Sequence, residues 1–163
     1  GGNDWTDNRL IPDIISSIEY KKKLHIRNLN ATRPWQFVLE PLKGYLDLAL
    51  ILNKQNNLNG HSFNFGPKNG KSYTVKEILE KFKESFKSFD YLKQNKLNNK
   101  FKESTLLSLN CNKAKKLLNW ECKLNLKEKL KFTSDWYLNY LNKTENIINF
   151  SHDQISKYEK KSK

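Results

Sequence analysis

Residues 30–50 read NATRPWQFVLEPLKGYLDLAL, and the fold class turns on this stretch. It opens as a polar knot, and Pro34 pushes Arg33 out of helical geometry toward an extended one. The run WQFVL, 35–39, has the apolar content of a short strand. Pro41 suits the first turn of a helix, and the residues after it predict one over Glu40 to Asn53. Leu42, Tyr45, Leu46, Leu48, Ala49, Leu50, Ile51 and Leu52 coat that helix almost all round, so it must be buried on most sides. A strand feeding such a helix suggests alternation of the two element types.

The flanking sequence continues that alternation. Upstream, Ile11, Ile14, Ile15 and Ile18 form one helical stripe over Leu10 to Lys22, and KLHIRN reads as a strand ending at Asn28. Downstream, HSFNFG (61–66) reads as a strand after a polar loop. Thr74 and Glu77 have the spacing of a capping box opening a helix through Phe86, with Val75, Ile78, Leu79 and Phe82 inward. SFDYL (88–92) and TLLSL (105–109) read as strands around a polar loop, 93–102. Asn110 is placed to cap a short helix over 113–118, and Asn125 with Glu128 a longer one through Trp136, Tyr137 and Leu141. Beyond Asn142 lies a polar tail, 143–163, with a short amphipathic helix marked by Ile155 and Tyr158. Alternating strands and helices mean α/β.

Thirty Lys plus Arg face 17 Asp plus Glu in 163 residues, a formal charge of +13. That balance suits nucleic acid, an anionic membrane surface or a phosphorylated ligand. Lys is scattered among abundant Asn and Ile, however, which argues for codon composition rather than a focused binding patch. Arg is more telling: Arg9, Arg27 and Arg33 are the only three, all near the start. A guanidinium offers a rigid donor fork matched to phosphate oxygens.

Other chemistries find little support. GPKNGKS, 66–72, lacks one residue of the phosphate-loop spacing G-x-x-x-x-G-K-[ST], and Pro67 removes an N–H from a loop that works by donating them. The three His lie far apart, without a nucleophile motif. Cys111 and Cys122 show no zinc spacing, and two such thiols suit a reducing compartment. The Asn-x-Ser/Thr matches at 30, 142 and 149 are what chance supplies in so Asn-rich a chain. The aromatics fall mostly at core spacing rather than as stacking platforms. No apolar run nears the roughly 20 residues of a membrane helix, so a cytoplasmic protein without membrane partner is expected. Gly1-Gly2 in place of an initiator, and no Met anywhere, point to a fragment or a processed chain.

Several segments closely resemble CDP-glucose 4,6-dehydratases, members of the extended short-chain dehydrogenase/reductase family. They are GGNDWTDNRLIPDII, IRNLNATRPWQFVLEPLKGYLDLA, FNFGP, LSLNCNKAKKLLNW, DWYLNYL and DQISKYE, and they run through essentially the whole chain. Related sugar-nucleotide dehydratases carry another form of the Arg loop, closer to Gly-Asp-Gly followed by Arg-Asp-Trp. The resemblance implies an enzyme with an N-terminal Rossmann domain holding NAD and a smaller C-terminal portion gripping the nucleotide sugar. CDP-glucose is oxidised at C4, water is lost across C5 and C6, and the hydride returns to C6.

This chain corresponds to the C-terminal portion. The glycine-rich dinucleotide turn, the Tyr-x-x-x-Lys pair and the elimination acid and base have no counterpart, so no catalytic residue is assigned. By resemblance, Arg33 contacts the diphosphate, Arg9 lies near the phosphates, and Arg27 faces base or ribose. Asn64 matches the Asn of an Asn-x-Gly beside the nucleotide. Glu103 takes the Glu of a His-Glu-Ala stretch, here between Lys102 and Ser104. Asn110 replaces an Asp as cap. Residues 1–142 form the sugar-nucleotide-binding portion, with 34–53 expected to cover the Rossmann half. CDP-glucose is the expected partner, nucleic acid is not one, and the full-length enzyme is expected to be a homo-oligomer. The alternatives are a basic nucleic-acid-binding module, another NAD-dependent nucleotide-sugar epimerase or dehydratase, and a remnant that only packs on a partner. For Arg33 itself the alternative is a salt bridge to Glu40 or an Asp.

Overall fold

A computed structural model describes residues 2–55, 57–86, 89–93 and 106–162. Helix α1 spans Leu10–Glu19, strand β1 Leu24–Ile26, β2 Thr32–Arg33 and helix α2 Leu39–Lys54. Then come β3 Tyr73–Thr74, α3 Val75–Lys83, β4 Tyr91–Lys93, α4 Asn112–Leu118, α5 Leu126–Asn142 and α6 Ile147–Ser162. Strands β1 and β4 pair in parallel, Leu24 opposite Tyr91, while β2 and β3 pair antiparallel, Arg33 opposite Tyr73. The α/β class holds in the form of helices with short strands.

Two helix starts follow from local chemistry. Thr74 Oγ1 accepts from the Glu77 amide while the Glu77 carboxylate accepts from the Thr74 amide, and Asn125 and Glu128 repeat the exchange at α5. Each box satisfies two amide donors that a helix N-terminus otherwise leaves open. At α4 the Asn110 side chain accepts from the Asn112 amide at 2.9 Å.

Three apolar clusters fill the interior. Ile14 and Ile15 of α1, Leu24 and Ile26 of β1, Leu79 and Phe82 of α3, and Trp136 and Tyr137 of α5 make the first. Leu58, Ala114, Leu118, Trp120 and Cys122 make the second, against the inner side of α2. Phe37, Leu124 and Tyr158 make the third. The tail beyond Asn142 thus holds a helix of 16 residues whose Tyr158 is buried in that third cluster.

Three expected strands are absent as ladders. In the run 35–39 only Leu39 is regular, as the first residue of α2; the rest forms no strand, because Pro34 has no amide to pair and the Trp35 amide turns back to the Arg33 carbonyl at 3.0 Å. Residues 61–66 pair with no strand, and Phe63 and Phe65 pack on the second cluster. In TLLSL, Thr105 lies outside the described residues; Leu106 to Leu109 form no strand, and the Leu107 carbonyl accepts instead from Ser72 Oγ at 2.9 Å. The expectation that α2 is buried on most sides is also corrected. Leu42, Tyr45, Leu46 and Leu50 share one exposed face, Leu46 being 67% exposed.

Tyr137 makes the fold sensitive to alkali. It is fully buried and its hydroxyl donates to the Asp4 carbonyl at 2.8 Å. Burial pushes its pKa from 10.0 up to about 12. The folded chain keeps a proton that the unfolded chain releases, so this stabilisation is complete below pH 10 and is lost as pH rises through about 12. Denaturant titrations across that range should show wild-type stability falling more steeply than that of Tyr137→Phe; parallel curves would refute the assignment.

Candidate functional site

The two strands β1 and β2 each deliver an arginine to the same place. Arg27 follows the last residue of β1 and Arg33 closes β2. Both line one hollow of about 220 Å³, together with Asn8, Leu10, Asp13, His25, Ile26, Asn28, Ala31, Trp35 and Val75.

The loop between these strands is held by the start of α3. The Val75 amide donates to the Ala31 carbonyl at 2.9 Å and the Lys76 amide to the Leu29 carbonyl at 3.0 Å. Two first-turn amides of a helix therefore find their acceptors in the arginine-bearing loop. Asn28 tightens the same turn by accepting from the Asn30 amide at 3.0 Å. Arg33 itself is half-buried and donates through Nη1 to the Thr32 carbonyl at 2.8 Å.

Among the described residues of the lining, Asp13 is the acid. Burial pushes its carboxyl above the ordinary aspartate range, while an amide bond from Asn8 and the Arg27 guanidinium pull the other way. Among the described lining residues, the two guanidinium forks stand beside this one carboxyl, and forks of that shape match phosphate oxygens.

Glu40, the acid weighed as an alternative partner of Arg33, is engaged elsewhere. Its fully buried carboxylate accepts from the Leu124 amide at 2.7 Å, from the Lys123 amide at 3.1 Å and from the Tyr158 hydroxyl at 3.2 Å. Of the other expected site residues, Arg9 and Asn64 are not gathered into the hollow. Arg9 stands at the N-cap of α1 beside Asn8 and Leu10, its side chain 65% exposed and paired with Asp4 at 3.5 Å. Asn64 is outside the lining and donates to the Asn110 carbonyl at 3.3 Å. Glu103 lies outside the described residues. Asp13 and His25 were missed by sequence reasoning; their places in LIPD and KLHIRN, flanking Arg9 and Arg27, were the available signal.

A second hollow, of about 370 Å³, lies between 66–70 and 108–112. Its Lys68 and Lys115 both pair with Glu121, at 3.7 and 3.0 Å, so their charge is locally neutralised. The GPKNGKS turn closes on itself: the Gly70 and Lys71 amides donate to the Pro67 and Lys68 carbonyls, which takes them away from any phosphate. Among the described residues no group of three or more His, Cys, Asp or Glu is arranged to hold a metal, and no helix is long and apolar enough to cross a membrane.

No protein-family model matches the chain. Among solved structures it is similar to UDP-glucuronic acid 4-epimerase from Bacillus cereus, solved with UDP-glucuronic acid and NAD. The TM-score is 0.69 at 17% identity, over 86% of this chain and 43% of that one. It is also similar to dTDP-glucose 4,6-dehydratase from Bacillus anthracis in complex with NAD, TM-score 0.62 at 20% identity, over 85% and 42%. These likenesses define the class: the chain has the fold of the C-terminal portion of extended short-chain dehydrogenase/reductase epimerases and dehydratases. Within that class its sequence is similar to the C-terminal portion of CDP-glucose 4,6-dehydratase from Salmonella typhimurium, 35% identical over 159 residues. That match covers 97% of this chain and 44% of the relative, so the chain spans less than half the length of the curated protein it matches.

Among the described residues, the turn after the parallel strand β1 does not fit NAD. That turn, Arg27-Asn28-Leu29-Asn30, leads into β2 rather than into a helix. It holds no glycine to let a pyrophosphate approach the backbone.

Proposed function

We propose that this chain is the substrate-binding portion of a CDP-glucose 4,6-dehydratase. The observation that carries the proposal is the convergence of Arg27 and Arg33 on one hollow. The Arg33 fork supplies charge-assisted donors to the diphosphate of a nucleotide sugar, Arg27 faces its base or ribose, and His25 and Asn28 supply further polar groups. Arg9 and Asn64 act at a greater remove, on the outer phosphate and beside the nucleotide. The 35% identity to a protein named for CDP-glucose supports cytidine over other bases.

Size limits what these residues hold. Sites that enclose a drug-sized ligand run to about 300–1,000 Å³, so a hollow of about 220 Å³ takes the diphosphate and part of one neighbour. The hexose and the reacting carbons extend beyond it, toward the portion that in this reading carries NAD and the acid and base. The exposed face of α2, with Leu42, Tyr45, Leu46 and Leu50, is the surface proposed to pack against that portion.

The chain is therefore expected to bind CDP-glucose weakly and to convert none of it. Incubation with CDP-glucose and NAD should yield no 4-keto-6-deoxy product. Turnover by this chain alone would show that the catalytic groups have been misplaced. NMR resonances of 25–35 should shift when CDP-glucose is added and stay put with a DNA duplex at physiological salt.

A further inference from the structure

We infer that Trp35 is a positioning residue for Arg33, acting through the bond from its indole to the Tyr73 carbonyl. The inference rests on the diphosphate-binding role proposed for Arg33. Strand β2 has only two residues, so its ladder with β3 is a weak frame for a long side chain. The register places Arg33 opposite Tyr73. Trp35 Nε1 donates to the carbonyl of that same Tyr73 at 3.0 Å. The Trp35 amide donates to the Arg33 carbonyl at 3.0 Å, so the chain doubles back around Pro34. Arg33 is thus tied to one point on β3 twice, by its own pairing and by the indole two residues later.

The far end of Trp35 is fixed as well. Its carbonyl accepts from Lys129 Nζ at 3.3 Å, and Lys129 is buried on α5 and also bonded to Gln36 Oε1 at 3.0 Å. Trp35 therefore joins β3 to α5 and cannot swing without moving Arg33. A phenylalanine ring would fill most of the same space but lacks the N–H, so the bond can be removed with little loss of packing.

The test is a double-mutant cycle on this chain, read by NMR titration with CDP. Trp35→Phe should weaken CDP binding about 5- to 10-fold, since a fork misaimed by a fraction of an ångström loses much of its contact. With Arg33→Ala already present, adding Trp35→Phe should change affinity less than about twofold. Equal losses in both backgrounds, or none in either, would overturn the inference. If wild type fails to bind CDP, the diphosphate reading falls, and the bond is then judged by exchange of the indole N–H. The Trp35 indole should exchange at least about tenfold more slowly than that of Trp5, which bonds only an exposed Asn3 side chain. Equal exchange would show that the clamp itself is absent.

Discussion

Replacing Glu40 with alanine should destabilise the fold by about 3–5 kcal/mol, the range for stripping one partner from a buried charged network. Its carboxylate, 0% exposed, holds together three segments of the chain. It sits in the first turn of α2, where the helix dipole favours a negative charge. From there it takes the Lys123 and Leu124 amides before α5 and the Tyr158 hydroxyl on α6. Cys122 Sγ also donates, at 3.4 Å. Alanine takes the acceptor from the buried Leu124 amide and Tyr158 hydroxyl, at about 1–3 kcal/mol for each group left unsatisfied, while Cys122 Sγ keeps the Gln36 and Leu124 oxygens. Glu40→Gln should fall between, because its amide presents a donor where two amides and a hydroxyl already donate. Chemical denaturation reads the loss directly, and the melting temperature should fall by on the order of 10 °C for alanine. A Glu40→Ala chain as stable as wild type would mean that the Tyr158 helix is held by its contacts with α5, which include the bond from Gln154 to the Phe132 carbonyl, and not by the Glu40 network.

The second large effect concerns binding. Arg33→Ala should lower affinity for CDP roughly 10- to 100-fold, the equivalent of about 1.5–3 kcal/mol for a charge-assisted contact. Arg33→Lys should fall between, since a single ammonium keeps the charge but not the planar fork. Neither change should unfold the chain, because the strand pairing at Arg33 uses its backbone.

What could be read in the sequence was what is local. The capping boxes at Thr74 and Asn125 close within three residues, so their spacing announces them. Helix α2 is equally legible, since Pro41 and a long apolar run set its start and extent. Among the strands, β1 within KLHIRN and β4 at the end of SFDYL were legible, and the other expected ones were not. Runs 35–39 and 61–66 have apolar content suited to a strand, yet a strand exists only where another chain segment offers its amides, and neither run is offered any. The burial of Glu40 was hidden for a similar reason: its partner amide at Leu124 is 84 residues away. Arg27 and Arg33 were found because arginine is rare here and Pro34 constrains its neighbour. Asp13 and the Trp35 bond to Tyr73 escaped, since both depend on tertiary placement.

The exposed face of α2 illustrates the same limit in reverse. A helix apolar all round predicts burial, and among the described residues it is the inner side that is covered, by α4 and the Trp120 cluster. Leu42, Tyr45, Leu46 and Leu50 repeat at helical spacing on the other side. Such a stripe is what a surface for further protein looks like, and the matched relative is more than twice as long as the segment it shares with this chain.

The most direct measurement is a titration of the wild-type chain and Arg33→Ala with CDP, using cytidine as the control ligand. The account predicts that CDP binds, that cytidine binds far more weakly for want of its phosphates, and that alanine at position 33 removes most of the difference. Equal affinity of CDP for both proteins, or no preference for CDP over cytidine in wild type, would contradict it.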